Sequence, residues 1–152
     1  MNEAAVQPAD LELDTMLLAT DWSEDAERLH AQAAAIAKLF GAQVVVVTAF
    51  NPPGPLRIRR GAPGLDAYRK ELEEEAKHTA AEVTAELIAW GVSARAVAAE
   101  GSPADVILQT AREESAGLIV LGGGSGGSAR YLMGSTAERV VRHAEVPVYV
   151  FR

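Results

Sequence analysis

Four consecutive valines, Val44–Val47, sit inside the apolar run AQVVVVTAF, residues 42–50. Successive side chains of a strand point to opposite faces, so an unbroken apolar run needs burial on both. That condition holds for a central strand of a parallel sheet with helices on each side. It does not hold for an antiparallel sheet with one wet face. The rest of the chain follows from this requirement, because parallel neighbours need crossover helices between them.

Strand-like and helix-like segments do alternate. Thr15–Thr20, TMLLAT, reads as a short buried strand. Ser23 is placed to cap the helix after it, with Glu24 and Asp25 in the first turn, where the helix dipole favours acids. Ala26, Leu29, Ala33, Ile36, Ala37 and Phe40 recur at three- and four-residue spacing, and Gly41 follows as a helix stop. Ala42–Phe50 is the second strand, and the Pro/Gly-rich stretch Asn51–Pro63 carries Arg57, Arg59 and Arg60 on a loop. Asp66 is expected to cap a long helix over Ala67–Trp90. Its apolar face would hold Leu72, Ala76, Thr79, Ala80, Val83, Leu87 and Trp90. Val92–Ala99 is the third strand. Ser102, Pro103 and Asp105 then form a strong helix start, for a helix ending near Ser115. Leu118–Leu121 is the fourth strand and Val146–Phe151 the fifth, with a helix from Thr136 to about His143 between them. The pattern predicts a single doubly wound, Rossmann-like α/β sandwich over residues 14–152, preceded by a polar tail at 1–13.

Composition narrows the function. The net charge of −7 and an aromatic content of 5% disfavour a nucleic-acid binder, which needs basic surface and stacking platforms. The absence of cysteine removes disulfides, thiolate nucleophiles and Cys-ligated zinc. The acidic start MNEAAVQPADLELD lacks a signal-peptide pattern, and no apolar run approaches the ~20 residues a membrane span requires. No membrane association and a cytoplasmic location are therefore expected.

The chemistry concentrates near the end of the chain. After the fourth strand, Gly122, Gly123, Gly124, Gly126 and Gly127 surround Ser125, and Gly134-Ser135 opens the last helix. Glycine accepts positive φ and lets backbone N–H groups curl around an anion. Ser135 with Glu138 three residues on reads as a capping box. The free amides of a helix start are a ready phosphate site. No Gly-Lys-Ser/Thr follows the glycines, and no G-x-G-x-x-G lies in the first strand–helix turn. An adenine mononucleotide with its phosphates on a late loop fits better than a Walker loop or a dinucleotide site.

Ligands of such sheets bind beyond the carboxyl ends of the strands, where the strand order switches. Ala19–Ser23, Ala49–Pro52 and the glycine loop converge there. The candidate binding residues are Ala19, Thr20, Asp21, Ala49, Gly122, Gly124, Ser125, Gly126, Gly127, Gly134, Ser135 and Thr136. Asp21 either accepts ribose hydroxyls or caps the first helix. Ala49 and Phe50 either wall the base or belong to the core. No spacing links His30, His78 and His143 into a catalytic set. They read as surface or capping residues, and Glu71, Glu73, Glu74 and Glu75 as a solvated helix face.

LLATDWSEDA, EGSPADVILQTAREESAGLIVLG and GSTAERVVRHAEVPVYVFR together resemble the universal stress protein family, from about Thr15 to Arg152. The resemblance implies a five-stranded sheet of order 3-2-1-4-5 and a homodimer through Val146–Phe151. It also implies ATP as ligand in one branch of the family, with Mg or Mn held through the phosphates. That branch carries G-x2-G-x9-G-[ST]. Gly134-Ser135 matches its end and Gly124 its middle, while Leu121 falls on its first glycine; taking Gly122 as the first puts Ser125 fourth. Ala19 stands where many ATP-binding relatives have proline. Three readings follow: an ATP-binding stress or signalling module, a dimer acting through protein contacts without nucleotide, and an enzyme such as an ATP hydrolase or a relative of adenylating α/β proteins.

Overall fold

The computed structural model describes residues 12–20, 25–52, 54, 61, 64–124 and 133–152. Strands β1 (Thr15–Ala19), β2 (Gln43–Phe50), β3 (Ala94–Glu100), β4 (Leu118–Gly122) and β5 (Val148–Phe151) form one sheet of order β3-β2-β1-β4-β5. Every neighbouring pair is parallel. Helices α1 (Ala26–Phe40), α2 (Leu65–Ala89), α3 (Pro103–Glu113) and α4 (Ser135–His143) alternate with the strands. This is the doubly wound fold and strand order expected from the sequence.

The valine run explains the layering. Val44 and Val46 join Met16, Leu18 and Val120 on the face covered by α1 and α2, against Leu29, Ala33, Ala37, Ala80, Val83 and Leu87. Val45 and Val47 join Leu17, Ile119 and Leu121 on the opposite face, against Ile107 and Ala111 of α3 and Ala137 and Val140 of α4. None of the four valines is more than 2% exposed. Register keeps the two sets apart, because Leu17 pairs with both Val45 and Ile119, and Leu18 with both Val46 and Val120.

Gly41 closes α1 at φ +65, donating its N–H to Ala37 O, as a C-terminal glycine should. The expected helix starts differ in detail. Ser23 lies outside the described residues, and Asp25 stands at the N-cap of α1 without a side-chain bond. Helix α2 begins at Leu65, so Asp66 sits inside the first turn; Gly64, at φ +86, holds the N-cap position. Ser102 does precede α3, but its hydroxyl donates to the Asp105 carboxylate and not to the role of backbone acceptor. Ser135 is the first residue of α4 and Gly134 its N-cap, because the Gly134 N–H is already tied to Gly123 O at 2.7 Å and its backbone is extended. Glu138 pairs with Arg142 at 2.8 Å, so the capping box does not form. Trp90 falls in the turn after α2 and is 38% exposed, off the apolar face predicted for it.

The fifth strand is shorter than expected, starting at Val148 because Pro147 has no N–H to offer. The Pro147 carbonyl still accepts from Ile119 N at 3.0 Å. Val148 and Val150 pack toward α3 and α4, Phe151 toward α1, and Tyr149 is exposed.

Leu18 is fully buried beneath α1 and α2, whereas Leu39 is 81% exposed. Leu18→Ala should lower unfolding free energy by about 2–5 kcal/mol in denaturant titration. Leu39→Ala should change it by no more than about 0.5 kcal/mol. Equal effects would contradict the assigned layers.

Candidate functional site

β1 and β4 are neighbours at the centre of the sheet, but the chain leaves them toward opposite faces. From β1 it runs through α1, on one face; from β4 it runs through α4, on the other. Divergent exits leave a crevice at the carboxyl ends of the two strands. A cleft of about 350 Å³ lies there. Ala19 and Thr20 form its side at β1, Leu121, Gly122 and Gly124 its side at β4, and Gly134, Ser135, Thr136 and Ala137 the start of α4. Pro103 and Ile107 of α3 complete it.

The start of α4 gives the cleft a set of free backbone N–H groups. The first intrahelical bond is donated by Glu138 N to Gly134 O at 2.9 Å. Helix geometry leaves the N–H groups of the preceding turn without intrahelical acceptors, at the positive end of the helix dipole. Their position is fixed by two glycines in backbone contact. Gly124 has φ +98, and a Cβ on it would stand 3.1 Å from Gly134 Cα. A Cβ on Gly134 would stand 3.2 Å from Gly123 O and 3.3 Å from Gly124 Cα. The clasp joins the end of β4 to the start of α4.

Ala19, Thr20, Gly122, Gly124, Gly134, Ser135 and Thr136 are thus brought together around one cleft. Ala49 does not line it: one strand farther from the switch point, it pairs with Ala99 and packs on the core under α3. Asp21, Ser125, Gly126 and Gly127 lie outside the described residues. A smaller cavity, about 200 Å³, lies between α3 and α4 at the amino ends of β4 and β5, with Leu108, Ala111 and Val146 in its wall. Its place at the amino ends of the strands separates it from the crevice of the sheet.

One sequence expectation is overturned. His30 is neither a surface nor a capping residue: it is 5% exposed. Its Nε2 lies 2.8 Å from Thr20 Oγ1 and its Nδ1 3.0 Å from Glu86 Oε2. Its two ring nitrogens thus each face a partner, one on α2 and one just past β1. A buried imidazole is tolerated because both nitrogens are satisfied. The available signal was positional, since His30 falls three and four residues before Ala33 and Ala34 and so shares the inward stripe of α1. Its partner on α2 is 56 residues away, beyond any local pattern.

A model of the universal stress protein family matches residues 12–152. A universal stress protein of Thermus aquaticus is 38% identical over 141 residues, covering 91% of this chain and 98% of the relative. The structure of the universal stress protein from Archaeoglobus fulgidus in complex with dAMP is similar at a TM-score of 0.61 and 26% identity, covering 93% of this chain and all of that one. A universal stress protein crystallised in complex with cAMP shares the fold at a TM-score of 0.64 and 23% identity, over 93% of this chain and 98% of that chain.

The glycine clasp predicts a measurable cost. Gly124→Ala places a Cβ both at positive φ and against Gly134. It should destabilise the fold by about 1–3 kcal/mol. Gly61 also has positive φ, but a Cβ there meets nothing within 4 Å, so Gly61→Ala should lose less. Thermal unfolding of the two variants separates steric clasping from backbone preference alone.

Proposed function

The chain belongs to the universal stress protein family, and we propose that it is a nucleotide-binding module of that family, holding an adenine nucleotide in the cleft between β1 and β4. The observation that carries this reading is the clasp of Gly124 and Gly134, which sets the amide-bearing start of α4 in a cleft at the sheet's switch point. The dAMP held by the A. fulgidus relative supports the same ligand class. No helix among the described residues is long and apolar enough to cross a membrane, and we assign the module to the stress response in the cytoplasm.

Every candidate but Ala49, which packs on the core away from the cleft, has a role in this reading. The N–H groups of Ser135 and Thr136, with their hydroxyls, hold phosphate oxygens. Gly122, Gly124, Gly126, Gly127 and Gly134 allow the backbone to approach, and Ser125 adds a hydroxyl. Ala19, Thr20 and Asp21 meet the nucleoside, with Asp21 accepting from the ribose. ATP is the proposed physiological ligand. Among the described residues no three His, Asp or Glu side chains converge on a metal position, so Mg or Mn would arrive as the counter-ion of the phosphates. The dimer reading without nucleotide keeps one point in its favour: the position of the family motif's first glycine is Leu121, 3% exposed in the core of β4.

Titration calorimetry with ATP, ADP and AMP in the presence of magnesium should show saturable binding. Gly134→Val, which drives a branched side chain into Gly123 and Gly124, should weaken it by more than tenfold. Asp21→Ala should weaken it about tenfold, the loss of a charge-assisted hydrogen bond. Folded wild-type protein giving no heat at millimolar ATP would overturn the nucleotide reading in favour of the protein-contact one.

We also propose a homodimer through β5, the edge strand on which Val148, Val150 and Phe151 are only partly buried. Across a two-fold axis the strand meets itself antiparallel and removes an exposed edge. Sedimentation equilibrium should give a mass near twice 16.0 kDa. Removal of residues 148–152 should yield monomer or aggregate. A well-folded full-length monomer would refute the arrangement.

A further inference from the structure

Among the described residues, His30 is the one titratable side chain in the buried core. It bridges three elements: its own helix α1, Thr20 just past β1, and Glu86 in the last turn of α2. Two features set this bridge apart from ordinary packing. First, Glu86 places a carboxylate at a helix C-terminus that carries no basic residue, where the dipole disfavours an acid. Its position is accounted for by the bond to His30. Second, Thr20 is where β1 gives out. Its N–H reaches Val47 O at 3.4 Å, at the long limit of a hydrogen bond. The shorter bond from its hydroxyl to His30 is what the ring adds to that contact. Thr20 lines the cleft, whereas neither His30 nor Glu86 does.

We propose that His30, oriented by Glu86, is a positioning residue for the nucleoside end of the cleft. It fixes Thr20 at the exit of β1, so affinity for the sugar and base depends on two side chains that line no part of the site. The inference rests on the nucleotide reading above and adds residues to it. The other end of the cleft is built differently. The start of α4 is held by the Gly124–Gly134 clasp and by the bond from Gly134 N to Gly123 O. Loss of His30 should therefore be felt by a ligand with a nucleoside and not by a bare polyphosphate.

The test uses full-length protein and two probes, AMP and inorganic tripolyphosphate, with amide hydrogen exchange as a ligand-free readout. His30→Leu should weaken AMP about tenfold, equivalent to one hydrogen bond, and change tripolyphosphate less than twofold. His30→Gln, whose amide can still meet the Thr20 hydroxyl, should recover most of the AMP affinity. Glu86→Ala, at a half-exposed position that tolerates truncation, should weaken AMP in the same direction and serves if His30→Leu does not fold. In the His30→Leu and Glu86→Ala proteins the Thr20 amide should exchange faster, with Val45 and Val46 unchanged. Wild-type AMP affinity and wild-type Thr20 exchange in the folded variants would overturn the inference. So would equal losses for AMP and tripolyphosphate, the sign of general loosening. If wild type binds neither probe, the nucleotide reading fails by itself. Thr20 exchange then decides whether His30 positions the exit of β1.

Discussion

Everything in this molecule depends on the central position of β1. It is paired in parallel with β2 on one side and β4 on the other, with Leu17 and Leu18 each matched to a residue of both neighbours. A strand so placed must be apolar on both faces, and Met16, Leu17 and Leu18 are fully buried. The same placement makes the connections from β1 and β4 leave toward opposite helical layers. The crevice is a consequence of this topology and not of any side chain lining it. Moving β1 to an edge would remove the core's centre and the cleft together.

An acidic protein with the proposed nucleotide site would have to hold its anion without relying on its net field. The described cations are largely committed elsewhere. Arg139 pairs with Asp105, Arg142 with Glu138, Arg112 with Glu145, Arg69 with Glu100 and Arg95 with Glu114. Such exposed pairs are each worth about 0–1 kcal/mol and do little for stability. The Arg139–Asp105 pair does tie α4 to α3 close to the cleft. No Lys or Arg among the described residues lines the cleft itself. Attraction for phosphate in the proposed site would come from backbone amides and the dipole of α4, which act at short range and are set by the fold. The glycines matter for that reason, since side chains at Gly124 and Gly134 would hold the two backbones apart.

Short-range patterns in the sequence were legible, and contacts between distant segments were not. The valine run announced a doubly covered parallel strand, and the alternation of elements announced the wrapping. Helix starts were less legible. Ser135 has the right chemistry for a cap, but the tie between Gly134 and Gly123 moves the helix start one residue earlier. Asp66 has it too, yet the left-handed Gly64 admits Leu65 to the helix first. Ser102 holds the cap position, but its hydroxyl donates a hydrogen bond to the nearby Asp105 carboxylate. In each case a neighbour in space outcompeted a rule about neighbours in sequence. Ala49 followed the same logic: its place at a strand end was readable, whereas its distance from the switch point depends on sheet order.

The two ends of the cleft differ in the same way, and this accounts for why one was visible beforehand. Gly122, Gly124, Gly134, Ser135 and Thr136 build the α4 end, and the spacing of these glycines can be read directly in the sequence. The β1 end is assembled from Thr20, His30 and Glu86, which meet only after α1 and α2 have packed on the same face of the sheet. A ligand spanning both ends would connect two independently supported structures. One is a backbone clasp that depends on the absence of side chains; the other is a side-chain bridge that depends on a buried imidazole. Packing changes between α1 and α2 would then reach the ligand through His30 and Thr20 without disturbing the start of α4. That route would be the path by which the helical layer remote from α4 influences what the cleft holds, if the proposed site is right.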